Sequence, residues 1–177
     1  MEFDVRWRPF QLNADAPKGR GQNKMDMYVE KFGRARIEQM VPQMAKTGSS
    51  VGIKFSYGGY TGNTFDSHRL IWKSREEGGS ALQDKVVESL FKAYFEEEQS
   101  MGEEKVLMEC AERAGMDAAK LFEDTNIGKK ETLRELQQYR QAYGVTGVPF
   151  FIFDEKYSFS GAQPASEIMK ILKKLAK

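Results

Sequence analysis

Gly144-Val145-Thr146-Gly147-Val148-Pro149-Phe150-Phe151-Ile152-Phe153 is a turn that runs into an unbroken apolar segment, and its reading sets that of the whole chain. A peptide bond before proline prefers trans by only roughly 0.5–1 kcal/mol, so Val148-Pro149 is one of few places in this chain where a cis bond is accessible. Gly147 gives the turn backbone freedom, and Phe150 to Phe153 is short and uniformly apolar, the pattern of a buried strand. A cis bond here would turn the backbone of Val148 outward, where its N–H and C=O pair with an extended chain as an added strand pairs with a sheet edge. A trans proline at the first residue of a strand is the alternative, and the residues alone leave both open.

Around this stretch the composition sets bounds. With 177 residues, 40% hydrophobic and 12% aromatic, the chain supports one domain with a sizeable core and room for an inserted subdomain. A net charge of +1 gives no electrostatic reason to expect a nucleic-acid or membrane-surface partner. No apolar run approaches the roughly 20 residues that span a bilayer, and Met1-Glu2-Phe3-Asp4 is not a leader, so the expected location is cytoplasmic. One cysteine excludes an intrachain disulfide framework, and one histidine and one cysteine without ligand spacing make no metal site.

Upstream, residues 3–10 alternate apolar and charged side chains, the period of a half-buried strand, with Pro9 ending it or confining it to an edge. Residues 13–23 read as a loop. Two helices are predicted next, over residues 24–32 and with Ile37, Met40, Val41 and Met44 on one face; Pro42 should kink the second. Residues 51–57 form a short extended segment. Asn63-Thr64 is placed to cap a helix carrying Phe65, His68, Leu70 and Ile71. Ser80 opens a helix with Leu82, Val86, Leu90 and Tyr94 on one face, and Ser100 with Glu103 resembles a capping box for another. Asp117 caps a short helix, and residues 132–143 form one that ends at Gly144. Downstream come strands over residues 150–153 and 157–160 and a last helix led by Pro164, its core face Ile168, Ile171, Leu172 and Leu175.

Strand, helical block, strand, strand and helix describe an α/β chain with helices inserted between sheet strands. That order, with residues 5–12 (Val-Arg-Trp-Arg-Pro-Phe-Gln-Leu), Lys31-Phe32-Gly33, Asn63-Thr64-Phe65-Asp66-Ser67-His68-Arg69-Leu70, the Gly144 to Pro149 loop and Ser160-Gly161-Ala162-Gln163, resembles the DsbA-like thioredoxin family. The resemblance covers essentially the whole chain and points to the FrnE-like disulfide oxidoreductases, neighbours of the 2-hydroxychromene-2-carboxylate isomerases and kappa-class glutathione transferases. It implies a thioredoxin-like sheet divided between residues 1–60 and 144–177, incomplete, with residues 61–143 as an inserted α-helical subdomain.

In that family a first strand leads into Cys-x-x-Cys, or into a serine in the glutathione-using branches, at the start of the first helix. The helix N-terminus stabilises a thiolate there. The resemblance implies that this chain begins at the family's second strand, so that the first strand, the first helix and the reactive residue are absent from it. The expected result is no dithiol activity and no catalytic residue in the chain, with Thr146, Gly147, Val148 and Pro149 as the retained substrate-binding loop. Its partner is an extended peptide or glutathione, and glutathione is the one cofactor to consider. A non-catalytic peptide- or glutathione-binding relative, or a truncated isomerase or transferase, is the alternative. The gap in the sheet leaves three readings: a truncated sequence, a strand at residues 3–8 that moves inward, or a homodimer through open sheet edges.

Four side chains remain. Asn63, His68 and Gln163 are candidates for the cleft opposite the loop. Equally, Asn63 and Gln163 serve as helix caps, His68 bonds a backbone carbonyl and the adjacent Arg69 is solvated. Cys110 lies on an apolar helix face with Val106, Leu107 and Ala114, a structural position for a thiol.

Overall fold

One long helix organises the molecule. The computed structural model describes residues 3–176, and in it the helix α3 (Phe65–Phe95) carries Leu70, Val86, Leu90 and Ala93 on its inner face, none more than 4% exposed. Their spacing of three and four residues puts Val86, Leu90 and Ala93 on one stripe. Against it pack Leu107, Cys110 and Ala111 of α4 (Glu104–Arg113) and Leu121 of α5 (Ala119–Glu123). Burying each of the larger aliphatic side chains stabilises the fold by roughly 1.5–3 kcal/mol. This cluster of α3, α4 and α5 is the core.

α3 is two helical halves. Gly78 and Gly79 leave helical geometry, Gly79 at φ +64°, and the second half begins at Ser80 as the sequence predicts. Leu82 fills the space that a side chain at Gly78 would need. Before α3 come α1 (Lys24–Phe32), capped by Asn23 through its Oδ1 to the N–H of Asp26 at 3.0 Å, and α2 (Arg34–Ser49), which runs through Pro42 as one helix. α6 (Lys129–Tyr143) follows α5 and ends at Gly144 in the left-handed conformation. α7 (Ala165–Leu175) closes the chain.

The strands form two small antiparallel pairs. β1 (Gln22–Asn23) pairs with β2 (Tyr60–Thr61), and β3 (Phe150–Phe153) pairs with β4 (Tyr157–Ser160) in the register Phe150 to Ser160 and Phe153 to Tyr157. β3 and β4 have the limits predicted from sequence. β3 is half-buried, not buried, since the ring contacts of Phe151 and Phe153 among the described residues are with each other and with Phe159, all within one hairpin. Likewise Ile168, Ile171, Leu172 and Leu175 are the half-buried face of α7, yet no residue of that helix is fully buried.

Residues 3–10 form no strand, so the reading in which a strand at residues 3–8 moves inward, one of the three, is not met. Their polar groups turn to helix side chains instead of to a sheet. The Trp7 N–H donates to Gln83 Oε1 at 3.0 Å and its carbonyl accepts from Gln83 Nε2, while Arg75 donates to the Val5 carbonyl and to Asp4. Arg8 pairs with Glu135 of α6 at 2.6 Å. The alternation of apolar and charged residues therefore reports a strap laid across α3 and α6, with Phe3 and Val5 left in solvent.

Two local expectations also change. Ser100 does not form a capping box; it is buried, and its Oγ accepts from the Gly102 N–H, so α4 starts after Glu103 without a side-chain cap. Arg69 is not solvated. It is 2% exposed and donates to the carbonyls of Leu121, Asp124 and Ile127 and to Asp66, which fastens α5 and the following loop to α3.

Candidate functional site

The loop between α6 and β3 is anchored at both ends and open in the middle. Gly144 reverses the chain after α6, and Val145 is 6% exposed, its side chain pinning the start of the loop. At the other end the Pro149 carbonyl accepts from the Gly161 N–H at 2.8 Å, which joins the loop to the turn before α7. Thr146, Val148 and Pro149 lie in solvent between these anchors, with Gly147 half-buried. The Val148-Pro149 peptide bond is cis.

Val148 is 50% exposed, and neither its N–H nor its C=O finds a hydrogen-bond partner among the described residues. A donor and an acceptor on one residue, beside a hairpin, form the minimal unit for backbone pairing with an extended chain. The strand edge of β3 opposite β4 is likewise unpaired among the described residues. Loop and edge together present a short run of main-chain groups in search of partners.

The other candidates make no hydrogen bond to this loop. Asn63 accepts from the Phe65 N–H at 2.9 Å and donates to the carbonyls of Ala14 and Ala16, so it caps α3 and holds the loop before β1. His68 Nε2 lies 3.0 Å from the Phe10 carbonyl, an acceptor, which fixes the proton on Nε2. Burial holds its pKa down at about 4, against the pull of that hydrogen bond, and the ring is neutral at pH 7. Both residues thus serve residues 10–16, and no hydrogen bond links them to the loop. Gln163 is exposed, two residues beyond Gly161, with no hydrogen bond among the described residues; it is the candidate that chain connectivity keeps beside the loop.

Cys110 is fully buried, its Sγ 3.2 Å from Arg113 Nη2 and 3.7 Å from the Ser89 carbonyl. A thiol so enclosed is closed to a disulfide substrate. No group of three or more potential metal ligands occurs among the described residues. Nor is any helix long and apolar enough to cross a membrane, within the same residues.

The features that sequence reading missed are Arg69 as an anchor and Lys24 as a buried cation, 2% exposed in an aromatic surrounding. An arginine or lysine in a soluble helix reads as surface, and only the tertiary packing identifies these two.

Comparison with known proteins adds the lineage. The model of the DSBA-like thioredoxin domain matches residues 1–173. The crystal structure of the probable DsbA oxidoreductase SCO1869 from Streptomyces coelicolor is similar to this fold at a TM-score of 0.82 and 28% identity, over 94% of this chain and 73% of that one. Among the curated proteins, none matches the chain.

Proposed function

Because the chain belongs to the DsbA-like thioredoxin family, we propose that it acts in thiol-disulfide chemistry as a FrnE-like protein whose Val148-Pro149 loop binds an extended peptide or glutathione. The observation that carries this reading is the half-exposed Val148 with its N–H and C=O unpartnered, beside the unpaired edge of β3. A peptide laid along Thr146 to Val148 would complete both backbone groups as a strand does, with no side-chain specificity required. Gln163, near the start of α7, is placed to receive a ligand carboxylate or backbone amide.

The division of labour we propose is a thioredoxin-like part, residues 1–60 and 144–177, that docks substrate, and a helical part, residues 61–143, that shapes it. The only thiol in these 177 residues is the buried Cys110, so the chain by itself binds and does not exchange disulfides. That same observation favours the second reading, a non-catalytic peptide- or glutathione-binding relative. A cytoplasmic location and pairing of two copies through the β3 edge belong to the same proposal.

The test is calorimetry with glutathione and with an extended unstructured peptide, alongside insulin reduction. Binding in the millimolar range or tighter is expected, lost in Val148→Pro, which removes the N–H without touching the core. No binding at millimolar ligand, or binding unaltered by that substitution, overturns the docking assignment. Robust insulin reduction by this chain overturns the assignment of binding without exchange.

A further inference from the structure

A second concavity lies away from the loop, between α1, the segment 53–57 and the second half of α3. It encloses about 780 Å³, within the range of small-molecule sites, and includes none of the loop or cleft candidates. Its walls are aromatic: Tyr28 against Tyr57 at 5.9 Å between ring centroids, Phe55 edge-on to Phe95 at 5.8 Å, and Phe91 and Tyr94 packed on Phe95. Such walls accept a planar apolar body by offset stacking or edge contact.

Of the charged side chains in this lining, one is buried. Lys24 is 2% exposed, donates from Nζ to the Tyr94 carbonyl at 2.8 Å and sits 4.1 Å from the centre of the Tyr94 ring. Its two other N–H groups have no partner among the described residues, and Ser89 Oγ in the same lining is also buried without one. Buried polar groups in folded proteins are ordinarily satisfied, so unfilled donors facing an open cavity point to a ligand or to water.

The occupant's charge follows from what is already there. A second cation is disfavoured, since the Tyr94 face already holds the Lys24 ammonium. A polyanion is disfavoured too. Arg113 is committed to Glu97 by two hydrogen bonds, the exposed Lys92 lies 3.9 Å from the same carboxylate, and Glu88 and Glu96 stand in the lining with the opposite sign. One buried ammonium, with two N–H groups left after its bond to Tyr94, matches one negative charge.

We infer that this cavity binds a small aromatic monocarboxylate, with the ring between Tyr28, Phe55, Tyr57 and Phe95 and the carboxylate on Lys24 Nζ. The inference stands independently of the loop's function. Burial lowers the pKa of Lys24 against the opposing pull of Glu98, which makes no salt bridge with it, and an incoming carboxylate supplies a counter-charge in direct contact.

The probes are 1-naphthoate and its uncharged counterpart 1-naphthalenemethanol, titrated by calorimetry into the whole chain. Naphthoate should saturate with a Kd on the order of 100 μM, and the alcohol about tenfold weaker. Lys24→Met should weaken naphthoate about tenfold and bring the two probes to equal affinity. Should that variant fail to fold, Tyr57→Trp provides the second arm by adding ring volume to a wall of the cavity; it should abolish binding of both probes. Val148→Pro should leave naphthoate binding unchanged. Absence of saturation, equal affinity of the two probes for the unaltered chain, naphthoate affinity retained in Tyr57→Trp, or loss of naphthoate binding in Val148→Pro each overturns the assignment.

Discussion

The helical body and the hairpin end differ in where their apolar side chains go. In the body, α3, α4 and α5 bury Leu70, Val86, Leu107 and Leu121 to 2% exposure or less, and Arg69 fastens α5 and the loop after it through the carbonyls of Leu121, Asp124 and Ile127. From Thr146 onward none of the described residues is fully buried, and both β3 and α7 keep their apolar faces half-open. Both regions have sound local patterns. What separates them is a second surface to pack on, which the body has within itself and the hairpin lacks among the described residues. Stability therefore resides in the body, and the unpaired main-chain groups of the loop and of the β3 edge lie at the other end.

The contrast breaks most readily at Leu107 and Arg69. Leu107→Ala should lower global stability by about 3 kcal/mol through loss of buried area and an unfilled cavity. Arg69→Met should cost about as much, because it leaves the carbonyls of Leu121, Asp124 and Ile127 without their donor. Urea unfolding followed by tryptophan fluorescence measures both. A loss under 1 kcal/mol at either position would mean that the body is not the stable unit.

Next in size is the pH dependence carried by His68. Its pKa in the folded chain is about 4, below the ordinary histidine value of 6.5, so the unfolded chain binds the extra proton first as pH falls. The contribution is whole above pH 6.5 and is lost progressively down to about pH 4. At about 1.4 kcal/mol per unit the loss approaches 3 kcal/mol. His68→Gln keeps a donor for the Phe10 carbonyl and removes the titration, so its stability should vary less over this window; an unchanged slope would sink the assignment.

Arg8→Ala is smaller again. It leaves the largely buried Glu135 carboxylate, whose pKa burial already raises, without its 2.6 Å partner. The expected loss is about 1–2 kcal/mol, with faster hydrogen exchange at Trp7 as the strap over α3 loosens. Unchanged exchange there would show that Gln83 and Arg75 hold the segment without Arg8.

Much of this was legible before any coordinates, and the exceptions share a cause. Four apolar residues between Pro149 and Asp154 define β3, and the period of Ile168, Ile171, Leu172 and Leu175 defines the face of α7, because both are local patterns. Residues 3–10 also carry a local pattern, but alternation says only that successive side chains differ, and a strand exists only where another strand supplies hydrogen bonds. The two-residue ladder of β1 and β2 is too short to leave any period. For the loop, sequence located Val148-Pro149 correctly, but assigning Asn63 and His68 to its cleft needed distances, and these residues turn out to hold residues 10–16. Lys24 was invisible for the same reason: its burial comes from Tyr94, 70 positions away.

The smallest expected effect is the sharpest test of the contrast. Phe159 packs on Phe151 at 4.9 Å and on Phe153 at 5.6 Å, all three within the hairpin. Truncating it removes contacts from a half-buried face, a local loss of about 1 kcal/mol. Both tryptophans pack on other residues, Trp7 on Phe91 and Trp72 against Gly128. If hairpin and body are energetically separate, Phe159→Ala should accelerate hydrogen exchange in β3 and β4 while the tryptophan-monitored transition moves by less than about 0.5 kcal/mol. A shift in that transition as large as the local loss would show that the hairpin unfolds with the body. The openness of its apolar faces would then be a matter of geometry alone, and the energetic separation of hairpin from body would fail at its weakest join.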